Sequence, residues 1–395
     1  MLAVKKRTIA IIVILSLIVG GAGAALVMGF ALGGGNVVLV NGKAFAAMEE
    51  TQQKYGKIDQ LLDTIEAYYY QEVDVEQLLL GAYRGLLSGL SDQYSNYMTA
   101  EELESLIVST SSEFQGIGIT FSSNAQNQLV IIEVMEDSPA LGAGLLEEDI
   151  ILAVDDVPYT GNQLDLVGAS IRGLAGTMVT LTIQRGEEVE DYTITRAHIV
   201  KRSAVQSEML EDDIAYISIT AFEDNTGNDF ERALRGFETQ QVKGLVIDLR
   251  NNPGGVVDAG VQVADLLLPA CTIVYLVDGN GNRTVSNSDP QATEIPYVLL
   301  INGESASTAE IVAAAIKDNA GGPLVGTQTF GKGVVQSIIP LRDEAGAAIR
   351  LTTSQYLSPN GDVIHEEGVE PDYIVEPLED GERDVQLEKA LTLLQ

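Results

Sequence analysis

Tyr297-Val-Leu-Leu-Ile-Asn-Gly-Glu-Ser-Ala-Ser-Thr-Ala-Glu-Ile-Val-Ala-Ala-Ala-Ile-Lys-Asp-Asn319 decides how the rest of the chain is read. It opens on Val, Leu and Ile, a run long enough for a strand buried on both faces and too short to span a membrane. A polar turn, Asn302-Gly303-Glu304, comes next. Beyond it lies an Ala-rich run in which Ile311, Ala315 and Ile316 recur at helical spacing. Ser305, Ser307 and Glu310 stand at the mouth of that helix. The first turn has unpaired N–H groups, and the helix dipole there favours a developing anion, so a serine is well placed for nucleophilic work. The same residues fit a plainer reading. Serine is a preferred N-cap, and Glu310 would complete a loose capping box. The stretch alone leaves both open.

The segments around it repeat the pattern. From Lys201 the chain alternates strand and helix: Ile214–Ile219, a helix over 224–239, and a buried strand Gly244-Leu-Val-Ile-Asp-Leu-Arg250. A sharp turn, Asn251-Asn252-Pro253-Gly254-Gly255, leads to a helix ending near Leu267, a strand at 273–277 and a polar loop to Pro290. Such units build a crossover α/β core with ligands at the carboxyl ends of the strands, where both turns lie. Glycine leaves room for an N–H of Gly254 or Gly255 to aim at a substrate carbonyl, although Pro-Gly-Gly is also ordinary turn chemistry.

Further on, Thr329-Phe-Gly-Lys-Gly-Val-Val-Gln336 places Lys332, Val334 and Gln336 on one face if the segment is a strand. A free lysine has a pKa of about 10.4, so about 1 in 2,500 molecules carries the neutral amine at pH 7. Tuning it to 7 takes about 4.6 kcal/mol, which burial can supply. The amide oxygen of Gln336 would then hold the amine. A solvated lysine in a Gly-Lys-Gly hairpin is the alternative.

Charge and scarce residue types narrow the classes. The formal net charge is -34, with one cysteine, Cys271, and two histidines, His198 and His365. The first 34 residues hold Lys5, Lys6 and Arg7 and no acid, so the remainder has 20 Lys and Arg against 57 Asp and Glu. Such a body repels nucleic acid and anionic lipid. No internal disulfide can form, and neither a thiolate metal site nor a histidine zinc site is expected. No cofactor is expected either. Thr8 to Leu32 is 25 residues without a charge. As a helix it reaches about 37 Å, enough to cross a hydrocarbon core of about 30 Å. Its length favours an uncleaved anchor over a signal peptide, and the basic flank puts the body outside the cytoplasm. Residues 44–107 read as helical, with Ile58, Leu61, Leu62 and Ile65 at helix spacing and Thr99 capping toward Glu102.

Residues 113–197 change to short strands with turns: Phe114-Gln-Gly-Ile-Gly-Ile119, Ser138-Pro139-Ala140, Ala143-Gly144-Leu145 and Val154-Asp155-Asp156. Thr160-Gly161, a helical segment to Ile171 and Arg172-Gly173 follow. This order resembles a PDZ domain. The resemblance implies that Gln115, Gly116, Ile117 and Gly118 hold a peptide carboxylate on inward N–H groups, while a strand edge accepts the peptide.

Five tracts together resemble the carboxy-terminal processing (tail-specific) peptidases. They are Gly85 to Glu102, Asp248 to Gly255, Ser305 to Glu310 with Phe330 to Gln336, and Gly368-Val-Glu-Pro-Asp372. Lys332 lies 25 residues after Ser307, which suits that family. The chain departs from the family's usual pattern at Gln93, where proline is common, and at Ala309, where serine is. The resemblance implies a crotonase-like α/β peptidase core with Ser307 as nucleophile, Lys332 as general base and Gln336 orienting it. It also implies an oxyanion hole from Thr308 and either Gly254 or Gly255, with Asp248, Arg250 and Glu310 as support. Arg172 would report an occupied PDZ groove, or be a surface arginine. Neither histidine is needed.

These readings divide the chain into a cytoplasmic tip (1–7), a transmembrane anchor (8–32), a linker (33–43), a helical region (44–110), a PDZ domain (111–198), a peptidase core (199–378) and a C-terminal helix (379–395). The expected function is a membrane-anchored extracytoplasmic serine endopeptidase acting on proteins or peptides with free C-termini, with self-association through the helical regions. The alternatives are an inactive PDZ scaffold and a crotonase-like acyl-transfer enzyme.

Overall fold

A computed structural model describes residues 26–28, 39–342, 346–378 and 383–395. Two units are present, residues 1–85 and 86–395. In the first, Leu26–Met28 pairs antiparallel with Leu39–Asn41, and the helices Gly42–Tyr68 and Val75–Ser88 follow, the last residues of the second falling in the other unit. Ile58 and Leu61 of the expected apolar stripe are exposed.

Most of the expected anchor, 8–32, lies outside the described residues, as does the tip 1–7. The described residues within it, Leu26–Met28, form a strand and not a helix. A wholly apolar run carries no periodicity to separate the two, which is why the sequence did not anticipate the pairing. Among the described residues no helix is long and apolar enough to cross a membrane.

The second unit begins with a small β module. Five strands run in the order Glu188–Thr195, Met178–Arg185, Ile150–Val154, Leu129–Val134, Ile119–Ser123, all antiparallel, with Val157–Pro158 added to the third. Alternation sets the face that packs: Val179, Leu181 and Ile183 are buried and their neighbours are less so. Ile119–Ser123 lies at the edge of the sheet, with the helix Leu164–Ile171 in the same module. A separate ribbon, Glu113–Gly116 with Ala197–Val200, closes the entry and exit of the module.

The larger body has a six-stranded sheet in the order Val205–Met209, Ile214–Ile219, Gly244–Asp248, Tyr297–Ile301, Leu324–Gly326, Tyr373–Ile374. Only the first pair is antiparallel. Both central strands are buried along their whole length, as their uninterrupted apolar runs require. Their alternate residues serve two cores. Leu245, Ile247, Leu299 and Ile301 pack with the helices Thr226–Gln240, Val257–Leu267 and Thr308–Asp318. Val246, Val298 and Leu300 pack with the helix Val385–Leu393. Phe230, Leu234 and Phe237 give the first of these helices its buried stripe, each contributing about 1.5–3 kcal/mol. A second, antiparallel sheet runs Arg283–Asn287, Thr272–Asp278, Ala348–Leu357, Val334–Pro340, with Asn96–Met98 paired to the third strand.

Candidate active site

The turns that follow the two central strands lie side by side. Ala306 N–H donates to the Asn252 carbonyl at 2.9 Å, and Asn251 N–H to Asn302 Oδ1 at 2.9 Å. Ser305 is fully buried; its hydroxyl donates to the Leu249 carbonyl at 2.7 Å and accepts the Asn302 N–H at 2.9 Å. That hydroxyl joins the turns and is not available to a substrate.

Ser307 sits at the N-cap of Thr308–Asp318 with φ 58° and ψ -116°, a backbone strained for a residue bearing a Cβ. Its N–H donates to Glu310 Oε2 at 2.8 Å, and its carbonyl accepts the Glu310 N–H at 2.9 Å. The hydroxyl makes no cap. It lies 2.9 Å from the phenol of the fully buried Tyr356. The backbone therefore performs the capping and the hydroxyl remains for other work.

Glu310 is fully buried and accepts four hydrogen bonds. Oε2 takes the N–H groups of Ser307 and Lys332, each at 2.8 Å. Oε1 takes the Thr329 hydroxyl at 2.6 Å and the Gly331 N–H at 2.7 Å. One carboxylate thus fixes both the Ser307 turn and the segment carrying Lys332.

Lys332 precedes its strand, which starts at Val334, so Phe330–Gly333 is irregular. Its Nζ lies 4.9 Å from the centre of the Tyr94 ring. Partial burial holds the amine below its ordinary pKa; the Arg350 charge adds to this and Glu310 opposes it. Among the described residues Nζ has no hydrogen bond, either to Ser307 or to Gln336. Gln336 instead donates its amide to Thr352 Oγ1 at 3.2 Å. The strand register shifts between Val335 and Gln336, and Lys332, Val334 and Gln336 nevertheless all line one cleft.

Of the two glycines, Gly254 donates its N–H to Asn252 Oδ1 at 2.8 Å. The Gly255 N–H has no acceptor among the described residues. Gly255 has φ +142°, and a Cβ there would run into the Phe222 carbonyl. A Cβ on Gly254 would come within 2.7 Å of Ser307 Cβ. The Thr308 N–H also has no acceptor among the described residues, and its hydroxyl donates to the Gly255 carbonyl at 3.0 Å. Asn252, fully buried, anchors this turn through its amide to the Ile219 carbonyl at 2.7 Å.

Ser307, Lys332, Gly254, Gly255, Gln336 and Tyr356 line one cleft of about 580 Å³. Asp248 and Arg250 do not. They line a different cavity, of about 710 Å³, that contains neither Ser307 nor Lys332. Arg250 binds Asp248 at 2.6 Å and Asp384 at 2.8 Å, and Tyr216 donates to Asp248 at 2.7 Å. This cluster fastens the strand end to the start of the helix Val385–Leu393. Its bracing acts on the far face of the sheet, because Asp248 alternates with Ile247 and points away from the Ser307 helix.

A third cavity, of about 320 Å³, lies in the small module, lined by Gly116, Ile117, Gly118, Phe121, Ile171 and Arg172. The N–H groups of Ile117 and Gly118 have no acceptor among the described residues. Gly116 belongs to the ribbon, and the Gln115 side chain accepts the Ala175 N–H at 2.8 Å, so Gln115 supports this loop from outside. Arg172 is bound to Glu104 at 3.1 Å and to Ser105 Oγ at 3.2 Å. The helix bearing those two, Ala100–Thr110, lines the catalytic cleft through Leu106, Ile107, Ser109 and Thr110 and the module's cavity through Ser109. His365 packs edge-on against Tyr94, with ring centres 6.4 Å apart.

Comparison with known proteins gives a consistent family. Residues 213–375 match peptidase family S41, residues 115–195 a PDZ domain, and residues 17–102 the activating protease CtpB N-terminal domain. A carboxy-terminal-processing protease of Bartonella bacilliformis is 35% identical over 338 residues, 83% of this chain and 76% of its own. A carboxyl-terminal-processing protease of Synechocystis sp. is 37% identical over 323 residues, 78% and 75% of the two chains. Among solved structures, a photosystem II D1 C-terminal processing protease is similar with a TM-score of 0.50 and 26% identity, over 89% of this chain and 96% of that one.

Proposed function

The chain belongs to the carboxy-terminal processing family of S41 serine peptidases with a PDZ domain, and from this membership we propose a mechanism and a mode of substrate capture. Neutral Lys332 takes the proton of Ser307 as Oγ attacks the scissile carbonyl. The oxyanion that forms is met by the N–H groups of Gly255 and Thr308. Collapse expels the amine, which leaves with the proton from Lys332, and the acyl-enzyme is hydrolysed by water with Lys332 again as base. The single observation that carries this reading is the cleft itself, which brings together the Ser307 hydroxyl, the Lys332 amine held below its ordinary pKa and Gly255, whose N–H has no acceptor among the described residues. Before attack, Ser307 Oγ must exchange Tyr356 for Lys332, and the amine must leave the Tyr94 ring.

Substrates are proteins or peptides with a free C-terminus. The tail lies along Ile119–Ser123 as an added strand, its carboxylate on the N–H groups of Ile117 and Gly118. Ser307→Ala abolishes cleavage of a peptide with a free C-terminus; turnover at the wild-type rate would refute the assignment. The charge-free residues from Thr8 up to the strand at Leu26, after Lys5-Lys6-Arg7, support a membrane-anchored, extracytoplasmic peptidase. Release of the full chain from membranes by carbonate washing would overturn the anchor.

A further inference from the structure

Arg350 stands out in the catalytic cleft. Three charged side chains line it: Glu223, Lys332 and Arg350. The Glu223 carboxylate is taken, since Lys201 Nζ lies 2.7 Å from it and both side chains are largely buried. Lys332 rests on the Tyr94 ring. Arg350 has neither an ion pair nor a hydrogen bond among the described residues, in a chain with 57 acids and a net charge of -34. Arg172, Arg185 and Arg250, by contrast, each hold a carboxylate. Arg350 lies on the strand Ala348–Leu357, the strand that also carries Tyr356 to Ser307, and is paired in register with Ile338 and Asn96. The wall is mixed, with Leu106, Val256 and Val334 beside the neutral polar Ser109, Thr110 and Gln336. A guanidinium whose charge no neighbouring carboxylate offsets projects its field into the cleft, and its planar fork matches a carboxylate.

We propose that Arg350 binds a carboxylate of the substrate inside the cleft, so that the enzyme prefers chains with an acidic group at one fixed position beside the scissile bond. The proposal rests on the peptidase reading above. The carboxylate is either an acidic side chain or the chain terminus after a short leaving segment; the chemistry is the same.

The test uses the full chain and unstructured peptides in which a single Glu is walked through the positions flanking the cleaved bond. Each peptide is paired with its Gln counterpart and made both amidated and as the free acid. The readout is the ratio of kcat/KM values, Glu over Gln and free acid over amide, in wild type, Arg350→Gln and Arg350→Lys. Wild type favours Glu at one position by about tenfold, the worth of one charge-assisted bond. That ratio collapses to about one in Arg350→Gln, and Arg350→Lys retains part of it. Added salt lowers the wild-type ratio, an outcome that does not depend on how well either variant folds. If the terminus is the source, the walked Glu has no effect and the free-acid preference falls in Arg350→Gln to the part that capture on Ile117 and Gly118 retains. A wild-type ratio of one in both series overturns the proposal. So does a Glu preference that persists in Arg350→Gln, or no Glu preference together with a free-acid preference that Arg350→Gln leaves unchanged. Failure of wild type to cleave any peptide instead strikes the peptidase reading, and this proposal falls with it.

Discussion

Replacing Glu310 by Gln changes one atom and tests how the site is held together. The carboxylate accepts from three backbone N–H groups and one hydroxyl, all at 2.6–2.8 Å, with no exposure to water. Glutamine offers one acceptor oxygen and one NH₂. Turned with its NH₂ toward Ser307 and Lys332, it sets donor against donor twice. The better orientation puts NH₂ toward Thr329 and Gly331, since the Thr329 hydroxyl can rotate to accept. One buried N–H, that of Gly331, is then left without a partner, at about 1–3 kcal/mol. The two bonds that survive lose their ionic character, at about 1 kcal/mol each. The sum is about 3–5 kcal/mol, a large part of the roughly 5–15 kcal/mol that keeps a domain folded. Denaturant unfolding measures it, with the peptidase rate followed in parallel. The variant should fold, lose about this much stability and lose most activity, because both the Ser307 and Lys332 segments are loosened. A loss below about 1 kcal/mol with the rate unchanged would refute the reasoning.

Two more predictions follow from the site. Because burial and Arg350 hold Lys332 below its ordinary pKa, kcat/KM should rise with pH along a limb centred below 10.5. The folded chain binds fewer protons than the unfolded one between the lowered value and 10.5, so this site's contribution to stability also rises with pH there. Arg350→Gln removes one cause of the depression and should move the limb upward; a limb that does not move would contradict it. Tyr356→Phe removes the hydroxyl that must release Ser307, a bond worth about 1 kcal/mol, and should speed acylation up to about fivefold. Single-turnover acylation measures this, and a tenfold slowing would mean that the phenol positions the nucleophile instead.

Much of this architecture could be read from local pattern. Uninterrupted apolar runs gave the two central strands, and glycine with serine after them gave the turns, because those constraints are local. Ser307 and Lys332 were legible as types at a spacing, and they share the cleft. The identity of the open donor was not: choosing Gly255 over Gly254 depends on the Asn252 side chain, a contact two residues away whose direction no pattern specifies. Gln336 shares the cleft with Lys332, while its amide donates to Thr352, a partner on the neighbouring strand that no local pattern names. For Asp248 and Arg250 strand alternation itself carries the signal. Residue 248 shares its face with Val246, and that face is covered by the last helix, not by the Ser307 helix. Tyr356 and Tyr94 reach the site from segments 49 residues after Ser307 and 238 before Lys332. Their chemistry arises only from tertiary placement.

The strand Ile119–Ser123 ends its sheet with one edge unpaired among the described residues. An incoming segment can complete that edge only if its own amides are not already engaged. On the proposed mode of capture, a tail wound into a helix or stitched into a neighbouring sheet would therefore be invisible, whatever residues it carries. The same tail would become visible once it frays. Vulnerability is then written in the target's own firmness, and this peptidase would sort its clients by how loosely their ends are kept.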